Sequence, residues 1–134
     1  PGGSGQPVPG RLRRAGASAA GKLNMTSAIE PLLKLGAQPD VELRRACLDS
    51  LRRLRETRAI PLAVAALKEP RLERVALEYL AELGSYEQTK AVVEFARHTP
   101  SVEGVTLSVR ALTAWHAHVN AAKRPALYRA IAEI

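Results

Sequence analysis

The sequence contains Pro-Asp-Val-Glu at positions 39–42, Pro-Arg-Leu-Glu at 70–73 and Pro-Ser-Val-Glu at 100–103. The first residues of these motifs, Pro39, Pro70 and Pro100, are almost evenly spaced, and each motif opens a segment whose apolar residues recur with helical spacing. A repeat period of about 30 residues is typical of helical arrays, in which one helix pair stacks on its neighbours to bury its apolar face. We therefore predict an all-α fold, an α-solenoid of about three and a half helix pairs, with the three prolines at matching helix starts.

A second repeated element supports the same period. Ala28-Ile-Glu-Pro-Leu32 matches Ala59-Ile-Pro-Leu62, and the two alanines have the same separation as Pro39 and Pro70. After Pro39, Asp40 is a good helix N-cap, and Leu43, Cys47, Leu51 and Leu54 recur at i, i+4, i+8 and i+11. That spacing places the four side chains in one buried stripe.

The chain divides by composition at about residue 23. Residues 1–23 are rich in Gly, Pro, Ser and Ala, a composition that predicts a flexible basic linker. Residues 24–134 carry the helical patterns and form the predicted repeat domain. Its last segment holds Leu127, Ile131 and Ile134, and we expect these residues to form an apolar layer on which a further helix of a longer array would stack.

The net charge of +7 raises the possibility of nucleic-acid binding. Its distribution argues against that function, since residues 1–36 contain five basic residues and one acidic residue, whereas 68–97 contain five basic and six acidic ones. No apolar run approaches the roughly 20 residues needed to cross a bilayer, so no membrane insertion is expected. The single cysteine excludes an internal disulfide and decides nothing about the cellular compartment.

Together these segments resemble a known family. The mid-helix pairs Arg45-Ala46 and Val75-Ala76, and the endings Leu51-x-x-Leu54 and Leu80-x-x-Leu83, are similar to the short HEAT-like repeats first described in bilin lyases. More loosely, 41–54 followed by 58–62 resembles the HEAT section of bacterial membrane-bound dehydrogenases fused to a c-type cytochrome domain. The resemblance implies a scaffold fold over about 24–134. The Cys-x-x-Cys-His motif that such a cytochrome domain needs is absent from this sequence.

The residues that could carry chemistry do not combine into a catalytic or metal site. Cys47 lies on the apolar stripe, where a buried core role is expected rather than a reactive thiol. His116 and His118 are two residues apart and point to opposite sides of a helix, so they cannot bind one metal ion together. His98 stands at a helix end, where a cation interacts favourably with the helix dipole.

The expected function is therefore binding without catalysis. We predict a scaffold or interaction module of a larger protein, with another protein or neighbouring domains of the same chain as partners, no cofactor and no enzymatic activity. One alternative is a basic groove for nucleic acid, in which successive inner helices would contribute Lys34, Lys68 and Arg97. The other alternative is an accessory segment of a membrane-bound dehydrogenase or of a bilin lyase.

Overall fold

The computed structural model describes residues 10–117 and 122–134, and within these ranges the protein is all-α, without a β-strand. The described residues contain eight α-helices, most of them preceded by a single 3₁₀ turn or a capped loop. The helices are α1 (Gly10–Lys22), α2 (Ile29–Leu35), α3 (Val41–Arg53), α4 (Ile60–Ala66), α5 (Glu73–Leu83), α6 (Thr89–His98), α7 (Val102–His116) and α8 (Arg124–Ala132).

The period predicted from the sequence reappears in the local structure of the first two helix pairs. The 3₁₀ turns Thr26–Ala28 and Thr57–Ala59 occupy equivalent places, because each directly precedes a seven-residue helix, α2 or α4. The preceding helices α1 and α3 end alike, with Asn24 (φ 55°) and Arg55 (φ 58°) in the left-handed conformation that closes a helix C-terminus. The described residues thus hold eight α-helices, one more than the seven that three and a half helix pairs contain.

Residues 10–22 form helix α1, where composition predicted a flexible linker, so that prediction is wrong for this segment. Residues 1–9 of the same predicted linker lie outside the described part of the chain. A signal for the helix exists in the sequence, because Leu12-Arg-Arg-Ala15 repeats one period later as Leu43-Arg-Arg-Ala46. Among the glycine and alanine residues that suggested disorder, Ala17, Ala20 and Gly21 are buried. Their small size lets α1 approach α3 closely.

The chain separates into two compact parts, residues 1–56 and 57–134. In the first part, α1 and α2 both pack on α3. The contact of α1 with α3 is made at Gly21, where a Cβ atom would lie 2.5 Å from the Ser50 Cα. Ser50 is fully buried there, accepts a hydrogen bond from the Gly21 amide at 3.1 Å and donates one to the Ala17 carbonyl. Small side chains thus bring two helix backbones into contact.

In the second part, α4 packs on α5, α5 packs on α7, and α6 packs on α7 and α8. The α5–α7 contact is fastened by Trp115, whose side chain is 3% exposed and whose indole N–H donates to the Leu80 carbonyl at 3.0 Å. Gly84 makes room for this ring, since a Cβ there would lie 3.1 Å from Trp115 Cζ2. Leu127 on α8 is 2% exposed, so the prediction that it lies in an open apolar layer is wrong. Ile131 and Ile134 are half-buried.

The three proline motifs do not start their helices in the same register. Asp40 and Ser101 cap α3 and α7 by accepting hydrogen bonds from backbone amides three residues later, at 3.1 and 3.0 Å. Pro70 instead opens a 3₁₀ turn. The first fully buried positions are Leu43, Leu72 and Gly104, four, two and four residues after the respective prolines. Pro39 and Pro100 are therefore equivalent, whereas the Pro70 motif is displaced by two residues.

The same burial pattern nevertheless follows each first position. Buried residues recur at offsets of 4, 7 and 8 in the three helices that follow the proline motifs, α3, α5 and α7, and these offsets lie on one face of an α-helix. These positions are Cys47, Ser50 and Leu51; Ala76, Tyr79 and Leu80; and Ser108, Ala111 and Leu112. The predicted burial of Leu43, Cys47 and Leu51 is confirmed, whereas Leu54, the fourth residue of that predicted stripe, is half-buried.

Candidate functional site

The three basic residues predicted for an inner face are all exposed. Lys34 lies on α2 in the first compact part. Lys68 and Arg97 lie in the second part, where they line two different grooves. Each of these grooves also contains carboxylates, so its charge is decided by the whole set of lining side chains.

The groove that contains Lys68 lies between α4 and α6, and we call it the α4–α6 groove. Its volume is about 410 Å³, within the range of about 300–1,000 Å³ typical of sites that bury a small ligand or an anchoring side chain. The residues that line it come from α4, from α6 and from the segments that follow them. They are Val64, Leu67, Lys68, Glu73, Ala91, Glu94, Phe95, His98, Thr99 and Pro100.

The floor of the α4–α6 groove is apolar. Val64 of α4 and Leu67, which directly follows α4, line the groove together with Ala91 and Phe95 of α6. Phe95 is half-buried although the helical pattern predicts it in the core together with Val92 and Ala96, which are buried. Its ring rests against α7 where Gly104 leaves space, because a Cβ on Gly104 would lie 3.2 Å from Phe95 Cζ. Part of the Phe95 ring is therefore accessible from the groove.

The rim of the α4–α6 groove carries two carboxylates, one lysine and one histidine. Glu94 lies 2.9 Å from His98 Nδ1, and Glu73 is 3.5 Å from the hydroxyl of Thr99. The C-terminal ends of α4 and α6 also lie at this groove, and helix C-termini carry partial negative charge. The rim is therefore mixed in charge, in contrast to the uniformly positive surface that a phosphate backbone requires.

Arg97 lines a second groove, next to α8. The carboxylates there, Glu87, Glu94 and Glu133, outnumber the cations Lys90 and Arg97. Neither Lys68 nor Arg97 is thus set in a basic groove, and Lys34 belongs to the other compact part.

The candidate chemical groups occupy structural positions. Burial raises the pKa of the Cys47 thiol to about 12, so the thiolate is not populated near neutral pH. His116 Nε2 lies 3.2 Å from the Tyr128 hydroxyl, while His118 is outside the described residues. Over residues 10–117 and 122–134, no group of three or more His, Cys, Asp or Glu side chains is placed to hold a metal ion.

Comparison with known proteins gives no further assignment, because no protein-family model matches the sequence and the search of curated proteins finds no match. Within the described ranges, none of the helices has both the length and the apolar character that a membrane span requires.

Sequence reasoning did not identify the α4–α6 groove. Helical spacing predicts Ile60, Val64 and Leu67 on the buried face of α4. Leu67 is buried there, whereas Ile60 and Val64 are half-buried and Ala63 and Ala66 are fully enclosed. The alanines at 63 and 66 are a signal for the groove, since a helix that buries alanines leaves its larger neighbour Val64 at the edge of the core. Glu73 and Glu94 come to the same rim only through the packing of separate helices.

Proposed function

We propose that this chain is a non-catalytic helical-repeat scaffold, an α-solenoid of HEAT-like helix pairs, that binds another protein or a neighbouring domain. The observation that carries the proposal is the α4–α6 groove, with its apolar floor and its rim of mixed charge. Such a surface suits a polypeptide segment, because an apolar side chain can fill the floor while the rim charges fix its orientation. The recurrence of equivalent turns and helix ends in the first two helix pairs supports the repeat assignment.

Nucleic-acid binding is less well supported. Lys68 shares its groove with Glu73 and Glu94, and Arg97 shares its groove with three carboxylates. Close acidic groups repel phosphates and offset the neighbouring cations. The bilin-lyase and dehydrogenase alternatives rest on the sequence resemblance alone.

The proposal can be tested by selecting phage-displayed peptides on the full chain and measuring their affinities by isothermal titration calorimetry. Ala91→Glu places a carboxylate on the apolar floor and should weaken selected peptides by tenfold or more. The control is Thr113→Glu, which adds the same charge at an exposed position of α7. Circular dichroism verifies that both variants fold. If no selected peptide is sensitive to Ala91→Glu, the groove is not the binding site.

The nucleic-acid alternative is tested in parallel with a fluorescein-labelled DNA duplex and a labelled single-stranded RNA at physiological salt. We expect no measurable binding. Binding that disappears in Lys68→Ala or Arg97→Ala would favour the nucleic-acid function over the scaffold function.

A further inference from the structure

The α4–α6 groove holds two carboxylates, Glu73 and Glu94, whose negative charge is only partly balanced by neighbouring groups. Glu73, the first residue of α5, accepts a long hydrogen bond of 3.5 Å from the Thr99 hydroxyl. Among the described residues Glu73 forms no ion pair. Lys68, the lysine of this groove, is exposed, and it makes neither a hydrogen bond nor an ion pair with the described part of the chain. Glu73 is therefore available to a cation from outside.

The contact of Glu94 with His98 leaves this second carboxylate charged. His98 Nδ1 lies 2.9 Å from a carboxylate oxygen of Glu94 and 2.9 Å from the backbone carbonyl oxygen of the same residue. Both oxygens only accept hydrogen bonds, so Nδ1 carries a hydrogen, and a neutral imidazole meets that requirement. With histidine counted as neutral, the groove has two negative side chains and one positive one. The C-terminus of α6, which ends at His98, adds partial negative charge.

The α4–α6 groove also lies in an acidic part of a basic chain. Residues 68–103, which form α5, α6 and the beginning of α7, contain five basic and seven acidic residues, whereas the whole chain has a net charge of +7. Salt at physiological concentration screens exposed charges that are more than about 8 Å apart. The carboxylates at the groove therefore act on a ligand more strongly than the distant basic residues do, and they favour a cationic ligand.

The apolar floor and the carboxylates belong to one groove of about 410 Å³, so a single short segment can contact both. Val64 and Leu67 offer apolar surface to a large side chain. Part of the Phe95 ring is accessible beside them, and a cation close to an aromatic ring is attracted to its π electrons. Neighbouring residues of an extended peptide are about 3.3 Å apart along the chain. A cationic residue one or two positions from the apolar one therefore remains at the groove.

We propose that the α4–α6 groove binds a segment of a partner protein in which a lysine or arginine stands within two residues of a large apolar side chain. This inference rests on the proposed function and specifies the chemistry of the partner. The apolar side chain lies on the floor, and the cation pairs with Glu73 and Glu94. Lys68 repels that cation, so it weakens the binding without reversing the preference for a basic segment.

Random twelve-residue peptides displayed on phage and selected on the full chain test this preference. Peptides that depend on the groove are those that lose binding to Ala91→Phe, which fills the floor without a change of charge. We expect lysine or arginine within two positions of an apolar residue in these peptides. Groove-dependent peptides that lack this preference, or that are acidic, overturn the inference and leave the proposed function standing. If no selected peptide depends on Ala91, the proposed function fails and this inference fails with it.

Charge variants test the pairing with the tightest selected peptide and with a copy in which its cation is replaced by Gln, both titrated by calorimetry. Glu73→Gln and Glu94→Gln should each weaken the basic peptide roughly two- to fivefold and leave the copy unaffected. Lys68→Met should tighten the basic peptide about twofold. The matched control is Glu87→Gln, because Glu87 lines the other groove of α6. Equal losses in all three glutamate variants, or no loss in any, overturn the inference, and circular dichroism verifies folding.

Discussion

Two helix crossings in this protein differ in the size of the residues that make them. Small residues form the crossing of α1 with α3 in residues 1–56, and a large aromatic residue forms the crossing of α5 with α7 in residues 57–134. Gly21, Ala17 and Ser50 bring the first two helices into backbone contact. Trp115 fills the space between the second two and donates a hydrogen bond to the Leu80 carbonyl. In each crossing a side chain of the later helix donates to a backbone carbonyl of the earlier one.

The difference decides which substitutions each crossing tolerates. A contact between backbones has no room for an added methyl group, whereas a contact made by a large ring loses most when the ring is removed. Enlarging a residue should therefore damage the first part, and truncating a residue should damage the second.

The largest effect is expected at Trp115. Trp115→Ala leaves a cavity between α5 and α7 and should cost about 3–5 kcal/mol of unfolding free energy, measured by urea denaturation with circular dichroism. Trp115→Phe retains most of the volume and should cost much less, since the Leu80 carbonyl also accepts from the Gly84 amide at 2.8 Å. Equal losses for Ala and Phe would show that the indole hydrogen bond, rather than the ring volume, holds this crossing together.

Gly16 and Gly21 of α1 should respond to alanine with opposite signs. Gly21→Ala places a Cβ 2.5 Å from the Ser50 Cα, a backbone atom that cannot rotate away, and should cost about 1–3 kcal/mol. Gly16→Ala meets nothing within 4 Å and should stabilise the helix by up to about 1 kcal/mol. Urea denaturation of both variants measures the difference. If Gly21→Ala is also stabilising, α1 is not in close contact with α3.

Two buried serines provide a smaller, matched comparison. Ser50 joins α3 to α1, whereas the Ser108 hydroxyl donates at 2.8 Å to the Gly104 carbonyl of its own helix. Ser50→Ala leaves partners on α1 without their hydrogen bonds and should cost about 1–2 kcal/mol. Ser108→Ala should change stability by less than about 0.5 kcal/mol. Similar losses at both serines would mean that the α1–α3 hydrogen bonds add nothing to the packing.

The smallest effect is expected at the N-caps. The cap of α3, Asp40, titrates, whereas the cap of α7, Ser101, does not. The backbone amide of Leu43 lowers the pKa of Asp40; partial burial opposes this, and the nearby Arg14 adds to the lowering. The native carboxylate thus binds protons more weakly than the unfolded one, so its stabilisation is complete above about pH 4 and is lost as pH falls through the native pKa.

Asp40→Ser copies the cap of α7 and should reduce the acid-dependent loss of stability, measured as the urea midpoint between pH 6 and pH 2. Some loss should remain. Although burial raises the pKa of Asp49, the hydrogen bonds from Arg52 and Arg53 outweigh it and lower that pKa. An unchanged acid response in Asp40→Ser would contradict the assigned role of this cap.

The helical class and most of the buried stripes were predictable from sequence because local spacing alone places Leu43, Cys47 and Leu51 on one helix face. The predictions were wrong where one residue type is compatible with two different structures. Gly and Ala at 10–22 suggest disorder by composition, yet the same residues permit close helix packing once α3 supplies Ser50 opposite Gly21. The prediction that Pro70 stands at a helix start equivalent to those of Pro39 and Pro100 was also wrong. A similar sequence at a turn does not specify which residues of the following helix are buried.

The sequence by itself determined the spacing of the repeated motifs, the helical periodicity and the cap at Asp40, since each can be read from the order of residues along the chain. Only the tertiary structure decided that α1 is a packed helix and that Val64, Phe95, Glu73 and Glu94 share one groove. Those side chains come from separate helices, and their proximity depends on which residues are small enough for two helices to meet.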